Sequence, residues 1–246
     1  MKPTVTGTDL ALPGRLQPTQ VEIAGGQLTC LVGPNGSGKT SLLHALSGIG
    51  RPEGEVRIHG RDPRRLSPAK RARLLTYLPA TREIAWPLTV RDIAALGLDG
   101  SDVAVRVSAA LRLLELDNLA EHRIDRLSTG ERSRALIARV LAAEAELLLL
   151  DEPTANLDPL WQLRLMEQLR RLAREQARTI LVAIHDLEIA RRYADRLLLM
   201  AGGRIVADGP PDEILAGEPM ARIFGIRRGT DGWEPLRPPA DPRSLL

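Results

Sequence analysis

The chain alternates short hydrophobic runs with longer stretches in which hydrophobic residues recur every three or four positions. The short run at 27–32 predicts a compact strand. The runs at 147–150 and 180–184 lack alternating polar residues, which is typical of strands buried on both faces of a parallel sheet. The longer stretches predict amphipathic helices, and the clearest begins at Asp158 and Pro159, a helix cap followed by a first-turn proline. Its hydrophobic positions are Leu160, Leu163, Met166 and Leu169. The pattern predicts an α/β protein with a mostly parallel sheet.

Two regions depart from this alternation. From about 80 to 130 the pattern is helical and contains no strand-like run, which predicts a helical insertion into the α/β core. The residues beyond Gly229 are rich in proline, which predicts a loosely ordered tail. We therefore expect one domain over 1–225 and a tail over 226–246.

Composition favours a folded protein, since 43% of the 246 residues are hydrophobic and 26% are charged. The longest apolar runs fall far short of the roughly 20 residues that a membrane helix needs. The N-terminal residues do not resemble a secretory signal. The single cysteine, Cys30, excludes an internal disulfide and suits a reducing compartment. We expect a cytoplasmic protein that reaches a membrane only through a partner.

The positive charge is modest, with a formal net charge of +3 and its densest basic stretch over 61–73. Surfaces that bind nucleic acid concentrate such charge and usually add aromatic residues that stack on bases. Aromatic residues make up only 2% of the chain, and none lies within that stretch. This favours a solvated helix face and predicts no nucleic-acid partner.

The first candidate site is a glycine-rich segment between the run at 27–32 and a predicted helix. Its pattern, G-x-x-x-x-G-K-[ST], is typical of loops that bind nucleotide phosphates. Glycines let successive N–H groups face one anion, and the following helix adds its N-terminal dipole. The candidate nucleotide-binding residues are Gly33, Pro34, Asn35, Gly36, Ser37, Gly38, Lys39, Thr40 and Ser41. We expect Lys39 to reach the β- and γ-phosphates and the Thr40 hydroxyl to bind Mg²⁺.

The second candidate site is the pair of acids that follows the run at 147–150, Asp151 and Glu152. Ligands bind at the carboxyl ends of strands in open α/β sheets. Asp151 is predicted to hold Mg²⁺. Glu152, expected on the opposite side of the strand, is predicted to orient and deprotonate the attacking water. The alternative, two acids that merely end a strand, leaves the glycine-rich segment unexplained.

A third segment, Leu127-Ser128-Thr129-Gly130-Glu131-Arg132, is similar to the signature sequence L-S-G-G-[QE] of ABC transporter ATPases, with Thr129 in place of a glycine. Together with the two sites above, it makes the chain resemble that family from about 10 to 225. The resemblance implies a P-loop NTPase (RecA-like) core with a mostly parallel sheet, an N-terminal antiparallel β subdomain and an inserted α-helical subdomain. It also implies that Ser128 and Gly130 contact the γ-phosphate bound by a second copy. Ser128 and Glu131 equally fit a capping box, and both roles remain open.

The resemblance assigns roles to two more residues. The segment that ends at Asp158 resembles the D-loop, which couples the two nucleotide sites of a dimer. His185, directly after the run at 180–184, resembles the switch histidine that contacts the γ-phosphate, and we group it with Glu152 as catalytic. The other histidines, His44, His59 and His122, are expected to be structural.

Two features depart from the family pattern. Ala80 stands where a glutamine usually contacts Mg²⁺, which predicts weaker metal contact or slower hydrolysis. No aromatic residue precedes Tyr77, although family members usually stack one on adenine. We hypothesise that adenine packs instead on Leu12, Leu16 or the flat guanidinium of Arg15.

The resemblance implies the ATP-hydrolysing subunit of a membrane transporter, with ATP and Mg²⁺ as ligands and a second copy of the chain as partner. Transmembrane permease subunits, together with a substrate-binding protein, would place it at the cytoplasmic face of the cell membrane. The segments 14–18 and 86–90 are most similar to those of ATPases that import metal chelates, such as siderophores, haem or cobalamin. The alternatives are a non-transport ABC ATPase, a low-turnover nucleotide-binding regulatory module and a small P-loop kinase.

Overall fold

The computed structural model describes residues 3–81, 86–229 and 232–236. In chain order the strands are β1 (Pro3–Leu12), β2 (Leu16–Ala24), β3 (Leu28–Val32), β4 (Glu53–Ile58), β5 (Leu75–Leu78), β6 (Leu147–Asp151), β7 (Thr179–Ala183), β8 (Arg196–Ala201), β9 (Arg204–Gly209), β10 (Ile226–Gly229) and β11 (Gly232–Pro235). The α-helices are α1 (Lys39–Ser47), α2 (Pro68–Leu74), α3 (Val90–Ala95), α4 (Val103–Leu113), α5 (Thr129–Ala142), α6 (Pro159–Gln176), α7 (Leu187–Tyr193), α8 (Pro211–Ala216) and α9 (Glu218–Phe224). Short 3-10 helices lie at Pro63–Arg65, Asp117–Leu119 and Ile124–Arg126.

Within the described residues, six strands form the central sheet, in the order β5-β6-β7-β3-β8-β9. The first five run parallel, and β9 closes one edge antiparallel to β8. Alternate residues of a strand face opposite sides of a sheet. Cys30 and Leu148 therefore pack into the core on one face, and Leu31 and Leu149 pack into the core on the other. The predicted parallel sheet with strands buried on both faces is confirmed.

A smaller antiparallel sheet, in the order β2-β1-β4, lies beside the central one. Its inward side chains, including Val5, Ile23 and Ile58, share one hydrophobic cluster with Leu42 and Leu46 of α1. Leu149 and Leu181 of the central sheet belong to the same cluster. Helix α1 is thus held between the two sheets, which fixes the position of its first turn.

Helices α3, α4 and α5 lie between β5 and β6 in the chain and pack on one another. Their buried side chains include Ile93, Leu111 and Ile137, which confirms the expected inserted helical region. Its division from the core near residue 130 stays a prediction, because α5 contacts both α3 and β5. Residues 82–85, at the start of the expected insertion, lie outside the described residues. None of the helices in the described part of the chain is long and apolar enough to cross a membrane.

Helix α6 begins as predicted, because the Asp158 carboxylate accepts a hydrogen bond from the Trp161 N–H at 2.9 Å. Its buried positions are Leu165, Met166, Leu169 and Ala173. Leu160 is 56% exposed, so its assignment to the hydrophobic stripe is wrong. Nine residues in an α-helix amount to two and a half turns, which places Leu160 on the side opposite Leu169.

Strands β10 and β11 form an antiparallel pair in which Arg228 lies opposite Trp233. Trp233 packs against the larger hydrophobic cluster, and the Leu236 N–H donates to the Gly225 carbonyl at 2.8 Å. The prediction of a loosely ordered tail beyond Gly229 is therefore wrong for β11, because an aromatic side chain anchors it. Residues 237–246, the rest of the predicted proline-rich tail, lie outside the described residues.

Candidate functional site

The carboxyl ends of β3, β6 and β7 meet at one edge of the central sheet. β3 pairs with β7 through Leu31 and Ala183, and Asp151 at the end of β6 lies opposite the same Ala183. This register brings the glycine-rich segment after β3 close to the two acids of β6 and to His185 after β7. The strand order therefore assembles residues that lie more than a hundred positions apart in the chain.

The glycine-rich segment curls between β3 and α1. Gly36 and Gly38 have φ values of 76° and 103°, in the left-handed region that favours glycine. The Ser37 N–H donates to the Pro34 carbonyl at 3.1 Å, which closes the turn. The first N–H groups of a helix lack intrahelical acceptors, so the start of α1 offers donors to an anion.

Lys39 is buried in this loop, with its ammonium group bonded to the loop backbone. Nζ donates to the Gly33 carbonyl at 2.7 Å and to the Pro34 carbonyl at 3.2 Å. Burial lowers the pKa of the ammonium group, and the charges of Glu152 and Asp151 act in the opposite direction. The loop thus holds a cation in place beside the two acids.

A cavity of about 310 Å³ opens in front of the loop. Its lining residues are Gly14, Arg15, Asn35, Gly36, Ser37, Gly38, Lys39, Thr40, Ser41 and Glu152. The predicted nucleotide-binding residues Gly33 and Pro34 are not in this lining and instead supply the carbonyls that bind Lys39. Because Glu152 directly follows β6 of the central sheet and Arg15 lies in the β1–β2 turn of the smaller sheet, segments next to both sheets contribute to the cavity.

Asp151 ends β6 and is fully buried. Burial raises the pKa of its carboxyl group, whereas hydrogen bonds from the Thr40 and Tyr77 hydroxyls lower it. Its Oδ1 has no hydrogen-bond partner among the described residues. Buried polar atoms normally have a partner, and oxygen atoms from a carboxylate and a hydroxyl suit a hard cation. Thr40 and Asp151 therefore fit the Mg²⁺ role predicted for them.

Glu152 begins a turn and does not continue the strand. β6 ends at Asp151, and Glu152 has a φ of 50°. The prediction that strand alternation directs its side chain is therefore wrong. The Glu152 N–H donates to the Ala183 carbonyl at 3.0 Å, which holds this turn against β7. A left-handed residue other than glycine costs roughly 1–3 kcal/mol, so the surrounding packing imposes this conformation.

His185 contacts Glu152, with its Nε2 2.6 Å from Oε1. Because an ionised carboxylate only accepts hydrogen bonds, Nε2 carries the proton in this contact. The His185 side chain is 46% exposed and the Glu152 side chain 32% exposed, so both reach solvent. A carboxylate oriented in this way beside a cavity can position a water molecule.

The Ser128 segment forms the start of α5, where the predicted capping box is confirmed. The Glu131 N–H donates to Ser128 Oγ at 3.3 Å, and the Glu131 carboxylate accepts from the Ser128 N–H at 2.9 Å and from its hydroxyl at 2.7 Å. The hydrogen bonds from Ser128 lower the pKa of Glu131. Among the described residues, the cavity lining includes none of Ser128, Gly130 and Asp158. Asp158 caps α6, and the nucleotide contacts expected of these three residues stay a prediction.

The model of the ABC transporter family matches residues 16–155, which is more than half of the chain. The match contains the phosphate-binding loop, the Ser128 segment and the acids at the end of β6. The chain belongs to the ABC transporter family.

Curated relatives of this ABC protein include import subunits. The hemin import ATP-binding protein HmuV of Rhodopseudomonas palustris is 41% identical over 233 residues, which cover 88% of this chain and 85% of the relative. The cobalamin import ATP-binding protein BtuD of Halobacterium salinarum is 38% identical over 240 residues, which cover 92% of this chain. The chain spans only 60% of the length of that second relative.

Solved ABC structures share the fold. A dimeric ATP-binding cassette in a post-hydrolysis state, bound to ADP and Pi, aligns with a TM-score of 0.75 at 25% identity, covering 84% of this chain and 98% of that one. A bacterial Atm1-family ABC exporter with ATP bound aligns with a TM-score of 0.78 at 26% identity, covering 91% of this chain and 41% of that one. The expected P-loop NTPase fold is confirmed.

The structure narrows the hypothesis for the adenine contact in this ABC cassette. Leu12 and Leu16 are only 6% and 4% exposed and belong to the hydrophobic core, so the idea that adenine packs on them is wrong. Arg15 is exposed and lines the cavity. Ala80 is also exposed, and its effect on hydrolysis stays a prediction.

The β8–β9 turn forms hydrogen bonds that support the phosphate-binding loop, a contact that the sequence did not predict. The Gly203 N–H donates to the Ser37 carbonyl at 2.9 Å, and the Gly203 carbonyl accepts from the Gln17 N–H at 3.0 Å. The β8–β9 turn therefore links the loop to β2. The paired glycines of this turn predict a hairpin, but nothing in the sequence indicates which loop the hairpin touches.

Proposed function

We propose that this chain binds and hydrolyses ATP as the motor subunit of a membrane transporter. The observation that carries the proposal is the Glu152 carboxylate, held 2.6 Å from His185 Nε2 beside a cavity that Lys39 and Thr40 also line. A candidate base, a phosphate-binding cation and a metal-binding hydroxyl around one cavity are the groups that phosphoryl transfer to water requires.

The chemistry follows from these positions. The loop N–H groups and Lys39 bind the phosphates, so that the γ-phosphate faces Glu152. Glu152 orients a water molecule and takes its proton as the oxygen attacks phosphorus and the bond to ADP breaks. His185 holds Glu152 in place. Mg²⁺ bound by Thr40 and Asp151 would neutralise charge on the phosphate oxygens.

A second copy of the chain completes the site in this proposal. Ser128 and Gly130 offer a hydroxyl and an N–H at the start of α5, where the helix dipole favours an anion. Gly130 lies beside the segment before Asp158, since a Cβ on it would be 3.4 Å from the Asn156 carbonyl. The signature and D-loop segments would therefore meet the partner's nucleotide together. The dimeric form of the related cassette supports this arrangement.

We propose an importer of a metal chelate of the haem or cobalamin class, because the relatives HmuV and BtuD are named as import ATP-binding proteins for hemin and cobalamin. Trp86 and Leu96, 70% and 46% exposed in the helical region, offer an apolar contact for permease subunits. With a permease and a substrate-binding protein, the chain would work at the cytoplasmic face of the membrane. A regulatory module without turnover would leave the contact between Glu152 and His185 without a role.

For the base of the nucleotide, we propose that Arg15 replaces the usual aromatic ring. Its planar guanidinium can stack on a base, whereas the neighbouring leucines are buried. The phosphate-binding loop and Arg15 line the same cavity, so one nucleotide can contact both.

The test of this function compares phosphate release by the parent chain and by a Glu152→Gln variant, each with ATP and Mg²⁺. We expect ATP to bind both equally and turnover of the variant to fall by roughly 10²–10⁴, because the base is lost. Glu167→Gln, an exposed change on α6, is the matched control and should keep parental turnover. A parent chain that releases phosphate no faster than Glu152→Gln would contradict the proposal.

A further inference from the structure

Tyr77 lies at the same edge of the sheet as the proposed metal ligands. In β5, Leu75 and Tyr77 face the side of the sheet that α1 covers, as Leu147 and Leu149 of β6 do. Asp151 continues the same alternation along β6, so its carboxylate and the Tyr77 ring lie on one face. The fold thus places a phenol beside the buried acid.

Tyr77 contacts both elements that carry the proposed metal ligands, β6 with Asp151 and α1 with Thr40. Its hydroxyl donates to Asp151 Oδ2 at 3.4 Å. Its ring packs edge-on against His44, with ring centroids 5.4 Å apart. His44 lies one helical turn after Thr40, on the same face of α1. On the backbone side, the Arg139 guanidinium donates to the Tyr77 carbonyl at 3.1 Å, so α5 also holds this strand.

We propose that Tyr77 is a positioning residue for the divalent cation and acts through Asp151. The hydrogen bond to Oδ2 restricts rotation of the carboxylate, and Oδ1 has no partner within the described residues. Ala80, which stands where the family usually has a glutamine that contacts Mg²⁺, carries no polar side chain. Tyr77 is therefore the group through which β5 reaches the metal site. The inference rests on the nucleotide site proposed above.

The experiment uses Tyr77→Phe, which keeps the ring against His44 and removes only the hydroxyl. Tyr193→Phe is the matched control, because it makes the same change at a buried position on α7. Mn²⁺ is the probe, followed by electron paramagnetic resonance with the chain in excess over ATP so that nearly all nucleotide is bound. ATP affinity without metal and thermal stability are measured for each chain.

We expect Tyr77→Phe to bind Mn²⁺ roughly tenfold more weakly than the parent, with unchanged metal-free ATP affinity, since partners that orient a metal ligand typically contribute about 10- to 100-fold to metal affinity. Tyr193→Phe should bind Mn²⁺ as the parent does. Equal Mn²⁺ affinity in Tyr77→Phe and the parent would overturn the proposal, as would equal weakening in both variants. A parent that binds ATP and Mn²⁺ without hydrolysis would count against the proposed function. The comparison of Mn²⁺ affinities would still test the role of Tyr77, because it does not depend on turnover.

Discussion

The phosphate-binding loop and the Ser128 segment both place N–H groups and a hydroxyl at the start of a helix, yet their surroundings differ. Lys39 of the loop is buried and bonded to the loop's own carbonyls, beside a fully buried Asp151. Ser128 is exposed, and its hydroxyl donates to Glu131 of its own helix. Two of the three N–H donors of the Lys39 ammonium group are bonded to the loop carbonyls, whereas the one hydroxyl proton of Ser128 is donated to Glu131.

This difference indicates which half of the site one chain completes alone. The loop and Glu152 line one cavity, and Asp151 and His185 lie next to Glu152. We therefore expect nucleotide binding to need no second copy. The hydrogen bond from the Ser128 hydroxyl to Glu131 must break before that hydroxyl can donate to a phosphate. Among the described residues, no part of the Ser128 segment lines the cavity. Variants of Lys39, Ser128 and Arg15 separate the half of the site that one chain completes from the half that a second copy would supply.

Lys39→Ala should have the largest effect on nucleotide binding. Removing a charge-assisted contact to phosphate should weaken ATP binding by roughly 10- to 100-fold. A fluorescent ATP analogue titrated against the isolated chain measures this loss. Lys70→Ala, on α2 and exposed, should bind as the parent does. Parental affinity in Lys39→Ala would place the phosphates elsewhere.

Ser128→Ala should leave ATP binding by the isolated chain unchanged and slow steady-state turnover by about tenfold, because it removes one hydroxyl donor from the γ-phosphate. The change also removes a helix cap, which costs about 1 kcal/mol of stability. Thr89→Ala removes the equivalent capping box of α3 and controls for that loss. If both variants lose turnover equally, or if Ser128→Ala loses ATP affinity, the proposed division between the two halves is wrong.

Arg15→Ala should have the smallest effect on ATP affinity, and it tests which residue of the cavity contacts the base. Loss of stacking on the base should weaken ATP binding by about 3- to 10-fold. The free energy of a cation stacked over a ring at an exposed site is roughly 0.5–1 kcal/mol, or slightly more when it is partly desolvated. Binding of inorganic triphosphate, which has no base, should not change. Calorimetric titration of both ligands gives the answer, and an unchanged ATP affinity would remove the role of Arg15.

Sequence patterns predicted local features well and distant contacts poorly. The caps at Asp158 and Ser128 and the phosphate-binding loop depend on neighbouring residues, so the sequence indicates them directly. The turn at Glu152 depends on the Ala183 carbonyl of another strand. The contact between Tyr77 and Asp151 likewise depends on strand order and register, which hydrophobic patterns do not specify.

The anchoring of β11 by Trp233 and the exposure of Leu160 were missed for a related reason. A lone tryptophan in a proline-rich stretch gives no sign of the surface it packs on. Leu160 fits a hydrophobic pattern by type, but its place on the helix circumference puts it outside the core. In both cases tertiary packing, and not residue type, determines whether the side chain is buried.

In the proposed dimer, nucleotide lies between two copies of this chain, with the loop of one facing the Ser128 segment of the other. Light scattering of Glu152→Gln with saturating ATP and Mg²⁺ tests it most directly. We expect a particle of about twice the 26.9 kDa chain mass, which disappears when Mg-ADP replaces Mg-ATP or when Ser128→Ala is added. A Glu152→Gln chain that binds ATP and remains a monomer, even with its permease present, would contradict it.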